Sequence, residues 1–182
     1  MSGQKALRVA ACACVVGFLM STFAVHASQT CDTRLAPASV PRSAFEEHDD
    51  GTVTDRRSRL MWMRCSVGQD WAGGRCVGEV RSLTFRSAQS MASDINRKGS
   101  SFFSDWRLPR AAELASIAER QCDDPRIDLA LFPDTPAEFY WTTTTRPQPA
   151  EGFAFALSFG PEGIRNVDQE TAAHVRLVRD AR

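Results

Sequence analysis

The stretch Asp105-Trp106-Arg107-Leu108-Pro109-Arg110-Ala111-Ala112-Glu113-Leu114 says most about the fold of this chain. Proline suits the start of a helix, because its missing N–H is one that the first turn leaves unpaired anyway. We therefore expect a helix that begins near Pro109 and ends at Asp123. Ahead of this helix, Trp106 most simply fills core space and Arg107 ties loop carbonyl groups together.

Another helix and several strands are indicated on either side of this stretch. Between Leu83 and Lys98 the apolar residues recur at helical spacing, and Gly99 stands where a C-terminal cap belongs. Residues typical of strands occupy 52–54, 60–65, 140–144, 152–159 and 174–179. The predicted class is α+β, with two central helices and antiparallel strands at both ends.

The N-terminus carries the signals of an export sequence. Lys5 and Arg8 precede an apolar run over 9–25, which a site for cleavage after a small residue follows. This order predicts a signal peptide over 1–27. Two alternatives are an uncleaved membrane anchor and a lipoprotein start at Cys12, although most of the apolar run lies after that cysteine.

The mature chain is expected to form one domain. Residues 28–44 are rich in Pro, Ala and Ser and indicate an N-terminal arm whose only firm anchor is Cys31, whereas 45–182 form the folded domain. Loss of Lys5 and Arg8 leaves the mature chain slightly acidic. Because no block of basic residues is long enough for a nucleic-acid tail, DNA and RNA are not expected partners.

Four cysteines remain in the mature chain, which predicts two disulfide bonds in an oxidising compartment. Cys65 and Cys76 flank a glycine-rich loop that can fold back on itself, so this local pair is the most economical of the three connectivities. Cys31 is then left for Cys122. Zinc is the weaker interpretation, since the chain contains no Cys-x-x-Cys.

The densest group of basic residues is Arg56, Arg57 and Arg59, on the turn of a predicted hairpin. Guanidinium groups suit the recognition of carboxylate or sulfate groups on a glycan, so these residues are the candidate ligand contacts. The alternative is an ordinary solvated turn, whose charges are screened and individually weak.

Neither a metal site nor a catalytic set is expected. Asp49, Asp50 and Asp55 lack the alternating ligand loop of an EF-hand, and a hairpin turn explains the Asp-Gly pair without a metal. His48 and His174 are the only imidazoles of the mature chain, and no Gly-x-Ser-x-Gly elbow offers a serine nucleophile. The sequence therefore predicts no cofactor and no enzymatic activity.

Short motifs in a specific order extend this interpretation. They are Asp50-Gly51-Thr52-Val53-Thr54-Asp55, Leu60-Met61-Trp62, Cys65 with Gly68-Gln69 and Trp71, Cys76-Val77-Gly78, Asp105-Trp106-Arg107-Leu108-Pro109 with Glu113-Leu114, Phe132-Pro133, Tyr140-Trp141-Thr142 and Val175-Arg176-Leu177-Val178-Arg179. Through these motifs the chain from about Phe45 to Arg179 resembles the C-terminal domain family of collagen-like bacterial adhesins, the Lcl C-terminal domain. Trp62, Trp106, Arg107 and Pro109 are the structural residues of the resemblance.

The resemblance implies an exported, C-type-lectin-like α+β domain, often attached to surface or pilus-associated proteins, with sulfated glycosaminoglycan binding in the adhesin member. No catalytic set is carried over. Family members often have Thr or Asn where Arg110 stands here, so a capping box with Glu113 lacks its usual acceptor. Without a Gly-X-Y tract, trimerisation through collagen is not expected.

These observations predict an exported, non-enzymatic binding module, periplasmic or secreted to the cell surface. Its expected partner is an anionic glycan or an envelope or pilus protein. The alternative is a structural accessory of a pilus or envelope assembly without a soluble ligand. No stable membrane span is expected after signal cleavage.

Overall fold

The computed structural model describes residues 29–34, 37–99, 102–144, 148 and 150–181. The predicted signal peptide over 1–27, including Cys12, lies outside the described residues. The elements are β1 Thr30–Cys31, β2 Phe45–Glu47, β3 Thr52–Asp55, β4 Leu60–Met63, β5 Asp70–Ala72, β6 Arg75–Val77, α1 Phe85–Lys98, α2 Ala111–Ala115, β7 Cys122–Asp123, β8 Phe139–Trp141, β9 Phe153–Ser158, β10 Ile164–Asp168 and β11 Val178–Asp180.

Two antiparallel sheets contain most of the β-strands. The larger has four strands in the order β11-β4-β3-β2, and the smaller has three in the order β10-β9-β8. Two further ladders join β1 to β7 and β5 to β6. In the larger sheet, Trp62 lies opposite both Val53 and Val178, and all three side chains are fully buried.

The expectation of an α+β, C-type-lectin-like domain built around two central helices is wrong. Over the described residues the structure is mostly β, with eleven strands in four sheets, and only α1 has several turns. The helix predicted from Pro109 to Asp123 is a five-residue turn that ends at Ala115. Beyond Ala115 the chain is no longer helical, and Ala118 pairs with Ile127 in an isolated antiparallel bridge.

Helix α1 has the predicted extent and termini. The Oγ1 atom of Thr84 accepts a hydrogen bond from the N–H of Ser87, which satisfies one of the free donors of the first turn. Gly99 ends the helix with φ of 60°, a left-handed conformation that glycine adopts without strain. The buried side chains of α1 are Ala88 and Ala92, and they belong to a core cluster that includes Trp106 and Trp141.

The Asp105–Leu114 stretch is held by side chains from other segments. Asn96 of α1 makes two hydrogen bonds with the backbone of Trp106, at 2.8 and 2.9 Å. Arg107 forms a bidentate pair with Glu113, at 2.8 and 3.0 Å, so a carboxylate rather than loop carbonyl groups is its main partner. Trp106 is 2% exposed and fills core space as predicted.

The N-terminus of α2 takes its cap from a distant residue. The side chain of Arg110 only donates hydrogen bonds, and its backbone N–H donates to Oε2 of Glu113 at 2.7 Å. The Oγ1 atom of Thr144 accepts from the N–H of Ala111 at 2.6 Å. Thr144 thus supplies the oxygen that the residue after Pro109 lacks.

Both disulfides have the predicted pairing, Cys31 with Cys122 and Cys65 with Cys76. The Cys31 bridge also lies within the β1–β7 ladder, where the two cysteines are register partners. The first bridge therefore closes the N-terminal arm onto the domain, and the second ties β6 to the end of β4.

The N-terminal arm is anchored at more points than Cys31 alone. The carboxylate of Glu119 is 4% exposed and accepts hydrogen bonds from the N–H groups of Ser39 and Val40, at 3.1 and 2.9 Å. Val40 itself is 2% exposed and belongs to the core. These contacts hold the arm to the domain in addition to the Cys31 disulfide.

Candidate functional site

The predicted ligand residues Arg56, Arg57 and Arg59 lie together on the exposed turn between β3 and β4. Two of them already face carboxylates. Nη2 of Arg56 is 3.3 Å from Glu46, and Nε of Arg57 is 3.3 Å from Asp55. The turn therefore offers less free positive charge than three neighbouring arginines suggest.

The same turn is organised by a buried carboxylate. Asp55 is 1% exposed, and its two oxygens accept from the N–H of Arg57 and the hydroxyl of Ser58, each at 2.9 Å. Arg59 adopts a left-handed conformation, with φ of 56°, and its carbonyl accepts the N–H of Ala181. These contacts stabilise the conformation of the turn itself.

A more constrained surface surrounds the hairpin of β5 and β6. The Cys65–Cys76 disulfide ties this hairpin to the end of β4, and Gly73 and Gly74, with φ of 60° and 80°, form its two-residue tip. Trp71 is the register partner of Cys76. The ladder and the disulfide together fix the position of the Trp71 side chain.

The indole of Trp71 is partly buried and has defined neighbours. Its Nε1–H donates to the carbonyl of Asp49 at 3.0 Å. The guanidinium of Arg64 lies over its ring, 4.3 Å from the centroid. Gly51 approaches so closely that an added Cβ would lie 2.5 Å from Cβ and Cγ of Trp71, so glycine is the residue that fits.

Arg64 holds this arrangement to the core. The residue is 6% exposed, and its guanidinium donates to the carbonyls of Leu131 and Ala130 at 2.9 and 2.6 Å. Nη2 also lies 2.9 Å from Oε2 of Glu47. Because these partners use the donors of Arg64, its charge is a structural element and not a free cation.

Depressions open on both sides of Trp71. The first, called here the Trp71 cleft, has a volume of about 300 Å³ and lies between the hairpin, β4 and α1; it is lined in part by Met63, Met91, Ile95, Asp50, Asp70 and Arg81. The second is lined in part by Glu47, His48, Asp49 and Arg64. The ring of Trp71 borders both.

Carboxylates outnumber available cations around the Trp71 cleft. Asp50 and Asp70 line it together with a single guanidinium, Arg81. Oδ1 of Asp50 accepts from the N–H and the hydroxyl of Thr52, at 2.9 and 2.7 Å, which fixes that carboxylate in place. Asp70 is exposed, and within the described part of the chain it has no ion-pair partner.

A buried cation supports the wall of the cleft. Arg176 is fully buried, and its Nη1 donates to the carbonyls of Met63, at 2.9 Å, and Arg64. Its Nη2 donates to the hydroxyls of Ser66 and Thr135, at 3.2 and 2.7 Å. Burial lowers the pKa of Arg176 from its ordinary value. The guanidinium fixes the chain where β4 leads into the disulfide loop.

Each of the two histidines lies beside a hydroxyl group. Nδ1 of His174 is 3.3 Å from both the hydroxyl of Ser82 and the carbonyl of Arg81. A carbonyl only accepts, so the contact with Arg81 is a hydrogen bond in the tautomer that carries a proton on Nδ1. Nε2 of His48 lies 3.0 Å from the hydroxyl of Thr54.

The described ranges contain neither a metal-binding cluster nor a membrane-spanning helix. No cluster of three or more His, Cys, Asp or Glu residues there is close enough to hold a metal ion. No helix in the same ranges combines the length and the apolar character needed to cross a membrane. The two disulfides fit an oxidising compartment outside the cytoplasm.

Comparison with known proteins connects the sequence motifs to a family. Curated proteins include no match to this chain. The family model described as the Lcl C-terminal domain matches residues 51–179. This range includes the hairpin with Trp71, the Asp105–Leu114 stretch and the buried Arg176. The chain therefore belongs to the Lcl C-terminal domain family.

Proposed function

We propose that this domain is an exported, non-enzymatic binding module that recognises a protein of the cell envelope through the surface around Trp71. The observation that carries the proposal is a disulfide-tied hairpin that holds a partly buried indole between two open depressions. Aromatic side chains in pockets are typical anchors of protein recognition. Association of the family with bacterial adhesins is consistent with this role at the cell surface or in the periplasm.

The rigidity of this surface favours binding. The Trp71 ring is restrained by the ladder with Cys76, by the hydrogen bond to Asp49 and by the stacked Arg64. A side chain that is already ordered loses little conformational entropy when a partner covers it. Such preorganisation is expected of a recognition surface.

An envelope or pilus protein fits this surface better than an anionic glycan. A sulfated glycan needs unpaired cations, but Arg56 and Arg57 face carboxylates on the turn. At the Trp71 cleft the same ligand would meet the like charges of Asp50 and Asp70. The charge distribution therefore disfavours a polyanion at the Trp71 cleft, and on the turn it leaves only Arg59 without an ion-pair partner among the described residues.

Two sets of variants separate the two surfaces. Trp71→Ala removes the ring, Trp71→Phe keeps an aromatic ring, and joint replacement of Arg56, Arg57 and Arg59 by Gln neutralises the turn. The oxidised mature domains are immobilised and exposed to envelope extract, and a second set is run on heparin at low and physiological salt. Circular dichroism verifies that each variant is folded.

We expect a stoichiometric envelope protein to be retained by the wild type, the Phe variant and the arginine variant, and lost by Trp71→Ala. Salt-sensitive heparin binding that only the arginine variant loses would contradict the proposal and favour a glycan. A folded wild type that retains nothing in either experiment would favour a structural accessory without a soluble ligand.

A further inference from the structure

We infer that the Trp71 cleft takes up a basic side chain, lysine or arginine, carried by an extended segment of the partner protein. The inference rests on the proposed function and adds the chemistry of the group that is recognised. Three properties of the cleft carry it: its size, its apolar floor and its surplus of available carboxylates.

The size of the cleft suits one long side chain. Its volume of about 300 Å³ is at the lower limit of the roughly 300–1,000 Å³ typical of small-molecule sites. The cleft lies between the hairpin on one side and α1 on the other. An extended segment that inserts a single side chain matches this shape.

The floor of the cleft suits an aliphatic stem. Met63 of β4 and Met91 and Ile95 of α1 line it, and all three are partly buried. Methionine adapts its shape to the group packed against it. Lysine and arginine bury their methylene groups along apolar surface while the charged end stays near water or an anion.

Two carboxylates are available for the charged end. Asp50 is fixed through Oδ1 by Thr52, while its second oxygen accepts no hydrogen bond from the described residues. Asp70 is exposed and has no ion-pair partner among those residues. Both carboxylates line the same cleft as the apolar floor, which is the pairing that a lysine or arginine side chain requires.

The positive charge of Arg81 would repel a basic ligand, and this repulsion provides a test of the inference. Arg81 is the only guanidinium that lines the Trp71 cleft among the described residues. A basic ligand is repelled by Arg81 and attracted by Asp70, whereas an anionic ligand responds in the opposite way. Neutralising these two residues should thus change the affinity in opposite directions, with signs that report the charge of the ligand.

The test titrates the oxidised, isotope-labelled mature domain with a short capped peptide of sequence Gly-Ser-Leu-Lys-Leu-Ser-Gly. A matched peptide carries Glu in place of Lys. Backbone amide signals and the indole N–H signal of Trp71 are followed by NMR at low salt, where weak binding is measurable. Asp70→Asn and Arg81→Gln are the test variants, and Glu170→Gln, an exposed carboxylate that does not line the cleft, is the matched control.

We expect the Lys peptide to shift the signals of Trp71 and the cleft-facing part of α1, with little effect from the Glu peptide. Asp70→Asn should weaken binding about two- to five-fold, the range of an exposed ion pair. Arg81→Gln should strengthen it by a similar factor, and Glu170→Gln should leave it unchanged.

Preferential binding of the Glu peptide, with the two variant effects reversed, would overturn the inferred charge and leave the cleft as a recognition surface. Absence of cleft shifts with either peptide would overturn the inference alone if Trp71→Ala still abolishes retention of an envelope protein. If that retention is also independent of Trp71, the proposed function fails as well.

Discussion

Replacement of Glu119 by glutamine should weaken the attachment of the N-terminal arm to the domain. In the wild type Oε1 of Glu119 accepts from the N–H and the hydroxyl of Ser39 and from the N–H of Gln121, at 3.1, 2.8 and 2.9 Å. Oε2 accepts from the N–H of Val40 at 2.9 Å. Both oxygens are therefore needed as acceptors.

The expected loss follows from the chemistry of the amide. Glutamine replaces one carboxylate oxygen with an NH₂ group, which cannot accept, so at least one N–H of the arm is left without its partner. An unsatisfied buried donor costs about 1–3 kcal/mol, and the remaining hydrogen bonds lose their charge, so we expect about 2–3 kcal/mol in all. For a domain of this size each kcal/mol lowers the melting temperature by about 2–4 °C, which gives about 4–12 °C.

The effect should depend on pH with a defined sign. Burial by itself would raise the pKa of Glu119, but hydrogen bonds from Gln121, Val40 and Ser39 hold it below the ordinary value of 4.5. The ionised side chain therefore stabilises the fold fully above pH 4.5, and this contribution is lost as the pH falls through the lowered pKa. The difference between wild type and Glu119→Gln should be largest at neutral pH and shrink at about pH 3.

Thermal unfolding of the oxidised domain, followed by circular dichroism at both pH values, measures this difference. Glu170→Gln, which removes an exposed carboxylate, should melt within about 1 °C of the wild type. The account of the arm is refuted if Glu119→Gln also melts within that margin at neutral pH.

Three further changes have expected outcomes. Thr144→Val should destabilise the domain by about 1 kcal/mol in chemical unfolding through loss of the α2 cap, whereas Thr144→Ser should retain it; equal stability of both would argue against this cap. Arg56→Gln should alter the unfolding free energy by less than about 0.5 kcal/mol, because its pair with Glu46 is exposed. A larger loss would show that this ion pair contributes substantially to the stability of the domain. Joint replacement of Cys65 and Cys76 by Ser should cost about 3 kcal/mol and open the hairpin to limited proteolysis; an uncleaved hairpin would contradict its dependence on the disulfide.

Local patterns predicted the elements that local forces build. The 3.6-residue period and the glycine cap gave α1 with its observed end at Gly99. The strand-forming residues on either side of the polar turn that begins at Asp55 gave β3 and β4. The local disulfide followed from the glycine-rich loop between Cys65 and Cys76. In each case the determining residues are close together in the sequence.

The fold class was mispredicted where tertiary contacts override local patterns. Ile117 is fully buried, as a longer helix would require, yet it lies beyond the end of α2. The ladders β1–β7 and β5–β6 use strands of two or three residues, too short for a detectable period. Along β9 the small residues Ala154 and Ala156 are buried while Phe153 is 36% exposed, so residue size did not predict the inward face.

The sequence alone could predict only part of the candidate site. Arg64 was not among the predicted ligand residues, and the structure places its guanidinium over the ring of Trp71, with hydrogen bonds to backbone carbonyls. The proximity of Asp70 to Met91 across the Trp71 cleft depends on how α1 packs against the hairpin. Contacts of this kind arise between segments that are distant in sequence, which a single sequence does not reveal.

Site-specific photo-crosslinking in the producing cells tests the central claim most directly. A photoreactive phenylalanine analogue replaces Ala72, exposed beside Trp71 on the hairpin, and in separate strains it replaces Arg57 on the arginine turn or Glu170. The account predicts a discrete crosslinked envelope protein from position 72 that Trp71→Ala abolishes, with none from position 170. A crosslink that forms from position 57 but not from position 72 would contradict it.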